Sequence, residues 1–141
     1  MHIDYERHVE YINNNSPFMN RIGIRITKVE KDRAEGEAVI DAGGLNYLGS
    51  IHGGMSYALA DSVVSAAARS DGYNYVTLSG EFDYIRGVGE GRIRAIAEVR
   101  HRGRNICRVG VKVLDEKDRL LADGHFTMYC LHEPFLKDQG A

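Results

Sequence analysis

Between Gly53 and Ser70 the chain carries one long helical stretch with almost no charge. Met55, Leu59, Ser62, Val63 and Ala66 recur at helical spacing, alanines fill positions 58, 60, 66, 67 and 68, and Asp61 and Arg69 are the only charged residues. Its roughly 18 residues, at about 1.5 Å each, make a rod about 27 Å long. A helix so rich in small residues and so poor in charge is buried on most sides. The rest of the chain must therefore wrap it.

The flanking segments alternate with a period of two. Ile22, Ile24 and Ile26 share one face against Gly23, Arg25 and Thr27. After a turn at Lys31-Asp32, the residues Ala34, Gly36, Ala38 and Ile40 alternate with Glu35, Glu37 and Val39, completing a hairpin. Four more strand-like stretches fall at 74–85, 91–102, 105–115 and 119–131, divided by Gly- and Asp-rich turn signals. Tyr5, Val9 and Ile12 predict a short helix over 4–15, stopped by the Asn13-Asn14-Asn15-Ser16-Pro17 cluster. Two strands, one buried helix and a four-stranded meander make an α+β protein, one antiparallel sheet curled around one helix. The 141 residues are expected to form one domain, with 1–17 as lead-in helix and 132–141 as a polar tail.

Charge excludes some functions. A net charge of −2 argues against a general nucleic-acid binder, which carries a strongly basic footprint. No apolar run reaches the roughly 18 residues of a membrane helix, and the polar start Met1-His2-Ile3-Asp4 shows no signal peptide. A cytoplasmic location is the expectation, and with it Cys107 and Cys130 as reduced thiols in or near the core. The His residues and acids show no paired-ligand spacing such as H-E-x-x-H, so neither a metal nor a cofactor is expected.

The chemistry concentrates where the loop meets the buried helix, from Asn46 to Asp61. Gly53 and Gly54 open the helix, where free N–H groups and the positive dipole end suit an anion or oxyanion. The same two glycines equally suit a plain helix start. Asp61 lies two turns past Gly54 on nearly the same face, and a carboxylate inside an Ala-rich helix is costly unless paired or used. As a used group it is a nucleophile or general base; as a structural one it is capped by a neighbouring hydroxyl or amide. His52 reads as an N-terminal cap or loop anchor rather than a base.

The series Asn46-x-x-Gly49-x-x-His52-Gly53-Gly54, followed by Leu59-Ala60-Asp61, resembles the motif of hotdog-fold thioesterases. The nearest subgroup is the phenylacetate-degradation type within the 4-hydroxybenzoyl-CoA thioesterase superfamily, and the resemblance spans most of 18–131. It implies a sheet wrapped around one helix and the hydrolysis of an acyl-CoA. The Gly54 amide would polarise the thioester carbonyl, and Asp61 would act as nucleophile or base. Asn46 and His52 would orient the carbonyl or the loop, with Gly53 beside the substrate. A strand hydroxyl would stand near the attacking water, Thr77 aligning best and Ser79 second. In such enzymes the acid reaches a carbonyl bound by the partner subunit. A homodimer is thus implied, with a homotetramer as the further assembly.

One departure from the subgroup is Ile85-Arg86-Gly87-Val88, where an Arg-Pro-Gly-like turn is common. The arginines Arg86, Arg92, Arg94, Arg100, Arg102 and Arg104 form a basic cluster in sequence. Of these, Arg86, Arg102 and Arg104 are the candidates for the coenzyme A phosphates; a solvated, charge-protected strand edge is the other reading. Tyr47, Met55, Tyr57, Tyr73 and Tyr75 are candidates for an acyl pocket. Two alternative functions accompany hydrolysis: a non-catalytic acyl-CoA sensor on the same fold, and an enoyl-CoA hydratase.

Overall fold

The charge-poor stretch forms a helix, α3 (Gly53–Ala68), and nine of its 16 residues are buried. A computed structural model describes residues 2–136. Six strands surround α3: β1 (Ile24–Glu30), β2 (Arg33–Ile40), β3 (Tyr73–Tyr84), β4 (Gly91–Arg102), β5 (Ile106–Leu114) and β6 (Leu120–Pro134). They form one antiparallel sheet in the order β1-β2-β4-β5-β6-β3. β3, the strand that follows α3, lies at the far edge. This is the hotdog arrangement, a curled sheet around a central helix.

Small residues let helix and sheet approach closely. A Cβ on Gly36 of β2 would stand 2.7 Å from Val63 Cγ2 of α3, so only glycine fits there. Across the sheet, Ile93, Ala95, Val109, Val113, Phe126 and Met128 close over the helix with no exposure. Alternation between these residues and their charged neighbours is what places one face of each strand in the core.

Two helices precede the sheet, α1 (Tyr5–Asn14) and α2 (Pro17–Ile22). α1 covers the free edge of β1. The buried Asn13 carboxamide pairs with Ile26 as a strand would: its Nδ2 donates to Ile26 O and its Oδ1 accepts from Ile26 N, both at 2.8 Å. Ile22, expected in the first strand, instead closes α2. Pro17 at the first turn favours a helix, and Gly23, at φ 77°, ends it in the left-handed conformation, its N–H donating to Met19 O. Only from Ile24 does the extended pattern begin. Of the polar tail expected over 132–141, residues up to Pro134 belong to β6 and Leu136 is buried; residues 137–141 lie outside the described part. Among the described residues no helix is long and apolar enough to cross a membrane.

An irregularity in β3 sets the orientation of the site. Thr77 pairs with Met128, and the next pair is Ser79 with Thr127, so Leu78 is an extra residue, a β-bulge. Before the bulge Tyr75 and Thr77 stand opposite the inward-facing Cys130 and Met128. After it Gly80 and Phe82 stand opposite Phe126 and Gly124. Ser79 therefore points to the outer face of the sheet, while Thr77 points at α3.

Candidate active site

The loop before α3 is tied by its own asparagine. Asn46 Oδ1 accepts from Leu48 N at 2.9 Å and from Ser50 N at 3.1 Å, and Asn46 N donates to Ser50 O at 2.7 Å. Gly49, at φ 79°, makes the sharp return. Ile51 N then donates to Val88 O, and His52 N to Gly44 O, which aims the chain into the helix.

His52 is the N-cap of α3. Its Nδ1 accepts from Gly54 N at 2.8 Å, so its Nε2 carries the hydrogen in the neutral ring. The Gly54 amide, expected from the sequence to be an open oxyanion donor, is thus engaged by His52. A short, polar acceptor two residues back satisfies the orphan N–H that a glycine start exposes. Gly53 is pinned from the other side, its carbonyl accepting from Tyr84 Oη at 2.9 Å.

Asp61 is half-buried on α3, and its Oδ1 accepts from Thr77 Oγ1 at 2.7 Å. The hydroxyl of Ser62 is turned away, donating to Ala58 O. Asp61 Oδ2 has no hydrogen-bond donor among the described residues. Asp61 and Gly54 are two turns apart, about 10 Å along the axis. A single chain does not bring the two to one carbonyl carbon.

Two hollows flank the start of the helix. One, of about 310 Å³, is bordered by Ile51, Gly53, Tyr84 and Arg86. The other, of about 470 Å³, is lined by Phe18 and Ile22 of α2 and by Met55 of α3, with His52 and Gly54 at its wall. Met55 is the one member of the expected acyl-pocket set found there. Tyr57 packs against Phe82 and Phe126, Tyr73 stacks near His132, Tyr75 is buried beside Asp71, and Tyr47 is 96% exposed. Phe18 and Ile22 were missed because Ile22 reads as strand; the Ser16-Pro17 helix start was the available signal.

The basic cluster does not assemble. Arg102 lies at the opposite end of α3 from Gly53, its guanidinium donating to Asp32 Oδ1 at 2.8 Å, Asp71 Oδ2 at 2.9 Å and the Ala68 carbonyl at 2.9 Å. Burial works against its charge, yet Asp32 and Asp71 hold it above the ordinary arginine value. It is a helix C-terminal clamp, not a phosphate ligand. Arg104 follows in the β4–β5 turn at that same distant end. Arg92 is paired with Glu37, and Arg94 with Glu35 and Asp118. Arg86 alone of the three candidates borders the helix start.

Both thiols are enclosed. Cys107 and Cys130 are free and buried, and burial pushes the Cys107 thiol up to about 11.

The curled sheet around one buried helix places the chain in the hotdog class. The chain belongs to the thioesterase superfamily, whose model matches residues 48–122. It is similar to the phenylacetic acid degradation protein PaaI from Thermus thermophilus, with 32% identity, a TM-score of 0.77, and coverage of 81% of this chain and 98% of that one. It is also similar to two proteins of Escherichia coli. One is the acyl-coenzyme A thioesterase PaaI, 28% identical over 72% of this chain and 73% of the relative. The other is 1,4-dihydroxy-2-naphthoyl-CoA hydrolase, 28% identical over 75% and 80%.

Proposed function

We propose that this protein hydrolyses an acyl-CoA thioester to the free acid and coenzyme A, with Asp61 as nucleophile or general base. The observation that carries this reading is the 2.7 Å hydrogen bond from Thr77 to Asp61 Oδ1 beside an open Oδ2. Thr77 fixes the carboxylate's rotamer and leaves one oxygen to take a proton from water or to attack the carbonyl carbon. In the water route, the water oxygen adds to the carbonyl carbon, its proton passes to Asp61, and the C–S bond breaks. That proton then leaves with the thiol of coenzyme A.

The carbonyl oxygen takes the Gly54 N–H, displacing His52 Nδ1 from it, so that developing negative charge meets the positive end of α3. Asn46 keeps the approach loop closed, and Gly53 allows the substrate to pass close to the backbone. The hollow beside Arg86 suits the coenzyme arm and its phosphates.

Because Asp61 and Gly54 of one chain are about 10 Å apart, the complete site needs a second copy, Asp61 of one subunit facing Gly54 of the other. The free edge of β3 supports such a homodimer: Val76 and Leu78 are 44% and 57% exposed there. A dimer of dimers, and work in the cytoplasm, extend the same reading.

The test is a thiol-release assay over a panel of acyl-CoAs with enoyl-CoA hydration run alongside, and sedimentation of the same sample. Thiol release by a dimer, abolished in Asp61→Asn, is the expected result. Tight acyl-CoA binding without thiol release would turn the reading to a sensor, and hydration to a hydratase.

A further inference from the structure

One cation on the central helix is left over by the site described above. Asp61, Ser65 and Arg69 follow at i, i+4 and i+8, along one ridge of α3 and its C-cap. All three are half-buried, whereas Val64, Ala66, Ala67 and Ala68 between them are fully enclosed. The Arg69 guanidinium lies 5.6 Å from the centroid of the Phe135 ring. Its Nε is buried without a hydrogen-bond acceptor. Among the described residues no carboxylate or carbonyl accepts a hydrogen bond from its guanidinium. Arg102, at the same end of the helix, shows the contrast with two carboxylates and a helix carbonyl in its grip. Burial pushes Arg69 below the ordinary arginine value, and the Asp61 carboxylate opposes that shift from beyond ion-pair distance.

A guanidinium whose Nε is buried without an acceptor is unfavourable, and its fork is shaped for a carboxylate. The place where an anion would meet it is defined by the helix. Eight residues separate Arg69 from Asp61, about 12 Å of axis, and the two groups are close enough for the Asp61 carboxylate to act on the guanidinium charge. The half-buried Ser65 lies between them on the ridge. A thioester carbonyl at Asp61 therefore has Arg69 within a short chain's reach. The coenzyme phosphates do not suit this gap, because the whole pantetheine arm separates them from the carbonyl.

We infer that Arg69 recognises a carboxylate at the far end of the acyl group, so that the substrate class is a short dicarboxylic acid held as its coenzyme A monothioester. This inference rests on the thioesterase reading and names its substrate. The reaction is unchanged: water adds, the C–S bond breaks, and a free dicarboxylate and coenzyme A leave. Asp61 and Arg69 belong to one chain, so their spacing does not depend on how subunits assemble. The guanidinium also shields the incoming carboxylate from the like charge of Asp61.

The experiment compares succinyl-, glutaryl- and adipyl-CoA with the uncharged butyryl-, valeryl- and hexanoyl-CoA in thiol release by the wild type, Arg69→Met and Arg69→Lys. Non-hydrolysable succinyl and butyryl thioether analogues are titrated calorimetrically in parallel. The wild type is expected to favour a dicarboxylic member by at least tenfold in kcat/KM over its uncharged counterpart. Arg69→Met loses roughly a hundredfold on that member and little on the uncharged one, and Arg69→Lys falls between. Equal losses on both series, or a wild-type preference for the uncharged acyl groups, would overturn the inference. So would an Arg69→Met protein that dissociates with its selectivity unchanged, since the cation would then serve a partner subunit. Preferential binding of the succinyl analogue with no thiol release from any substrate would sustain the anion site and sink the hydrolytic reading instead.

Discussion

Thr77 and Asp61, 16 residues apart in sequence, meet at 2.7 Å because β3 runs back along α3 and the bulge at Leu78 turns Thr77 inwards. The pair couples the outermost strand to the central helix at the point where the sheet has a free edge. Its chemistry is separable by substitution. Asp61→Asn keeps the shape and the bond from Thr77 but has no base, so kcat on the best acyl-CoA falls at least a hundredfold. Thr77→Val removes only the donor and costs about tenfold. Ser79→Ala, on the other face of the sheet, leaves kcat within twofold. A thiol-release assay on all three, with circular dichroism melts to show intact folds, checks the order. Ser79→Ala falling below Thr77→Val would contradict the bulge-based assignment.

His52 Nδ1 holds the Gly54 N–H that the proposed reaction gives to the substrate carbonyl, and that conflict is measurable. His52→Ala deletes the cap, at a cost of about 1 kcal/mol of stability, and leaves the Gly54 N–H undirected. His52→Asn offers a side-chain oxygen to the same N–H and restores the cap. The expected outcome is a lowered melting temperature for His52→Ala, near-wild-type melting for His52→Asn, and kcat within about tenfold of wild type for the asparagine variant. Full activity in His52→Ala with its melting temperature lowered would reduce His52 to a cap alone.

Arg86 and Arg102 separate binding from folding. Arg86→Ala is expected to raise KM for acyl-CoA about tenfold with little change in kcat, an effect that weakens as salt rises. Arg102→Met leaves Asp32 and Asp71 without their cation and uncaps the end of α3. It is expected to cost about 3 kcal/mol, near 10 °C in melting temperature, with KM unchanged in the folded fraction. Steady-state kinetics at two salt concentrations and thermal melts decide both. A KM effect from Arg102 would mean that the coenzyme reaches the far end of the helix.

What the chain revealed in sequence follows from what is local. Small residues over 53–70 could only mean a wrapped helix, and alternation in 33–40 named its core face correctly, because period and burial are local properties. Ile22, Ile24 and Ile26 alternate perfectly, yet Gly23 in the left-handed conformation splits them between a helix and a strand. Thr77 and Ser79 share a face in any regular strand; one extra residue in the pairing separates them. Arginines close in sequence are spread by the sheet over opposite ends of α3 and onto separate carboxylates. Arg69 gave no signal, since its isolation depends on the depth at which the helix ends and on Phe135, 66 residues further on.

Asp115 gives the fold an acid-sensitive fastening at the end of the sheet where α3 begins. It sits in the β5–β6 turn, 6% exposed, with Oδ1 accepting from Lys117 N and Arg119 N at 2.9 Å and Oδ2 from Arg119 Nε at 2.7 Å. Burial alone would raise its carboxyl, but these bonds from Arg119 and Lys117 overcome it and hold the group below its ordinary value of 3.8. A depressed folded value means that the native state prefers the ionised form. The stabilisation is therefore fully present above the ordinary carboxylate range and is lost as pH falls through the lower folded value. Asp115→Asn keeps one acceptor oxygen and loses the charge. Urea midpoints should show the variant less stable than wild type at neutral pH, with the gap shrinking once pH drops below the ordinary carboxylate range and closing in stronger acid. A gap that stays constant throughout the acid titration would show that packing of the turn, not the ionised carboxylate, holds β5 and β6 together there.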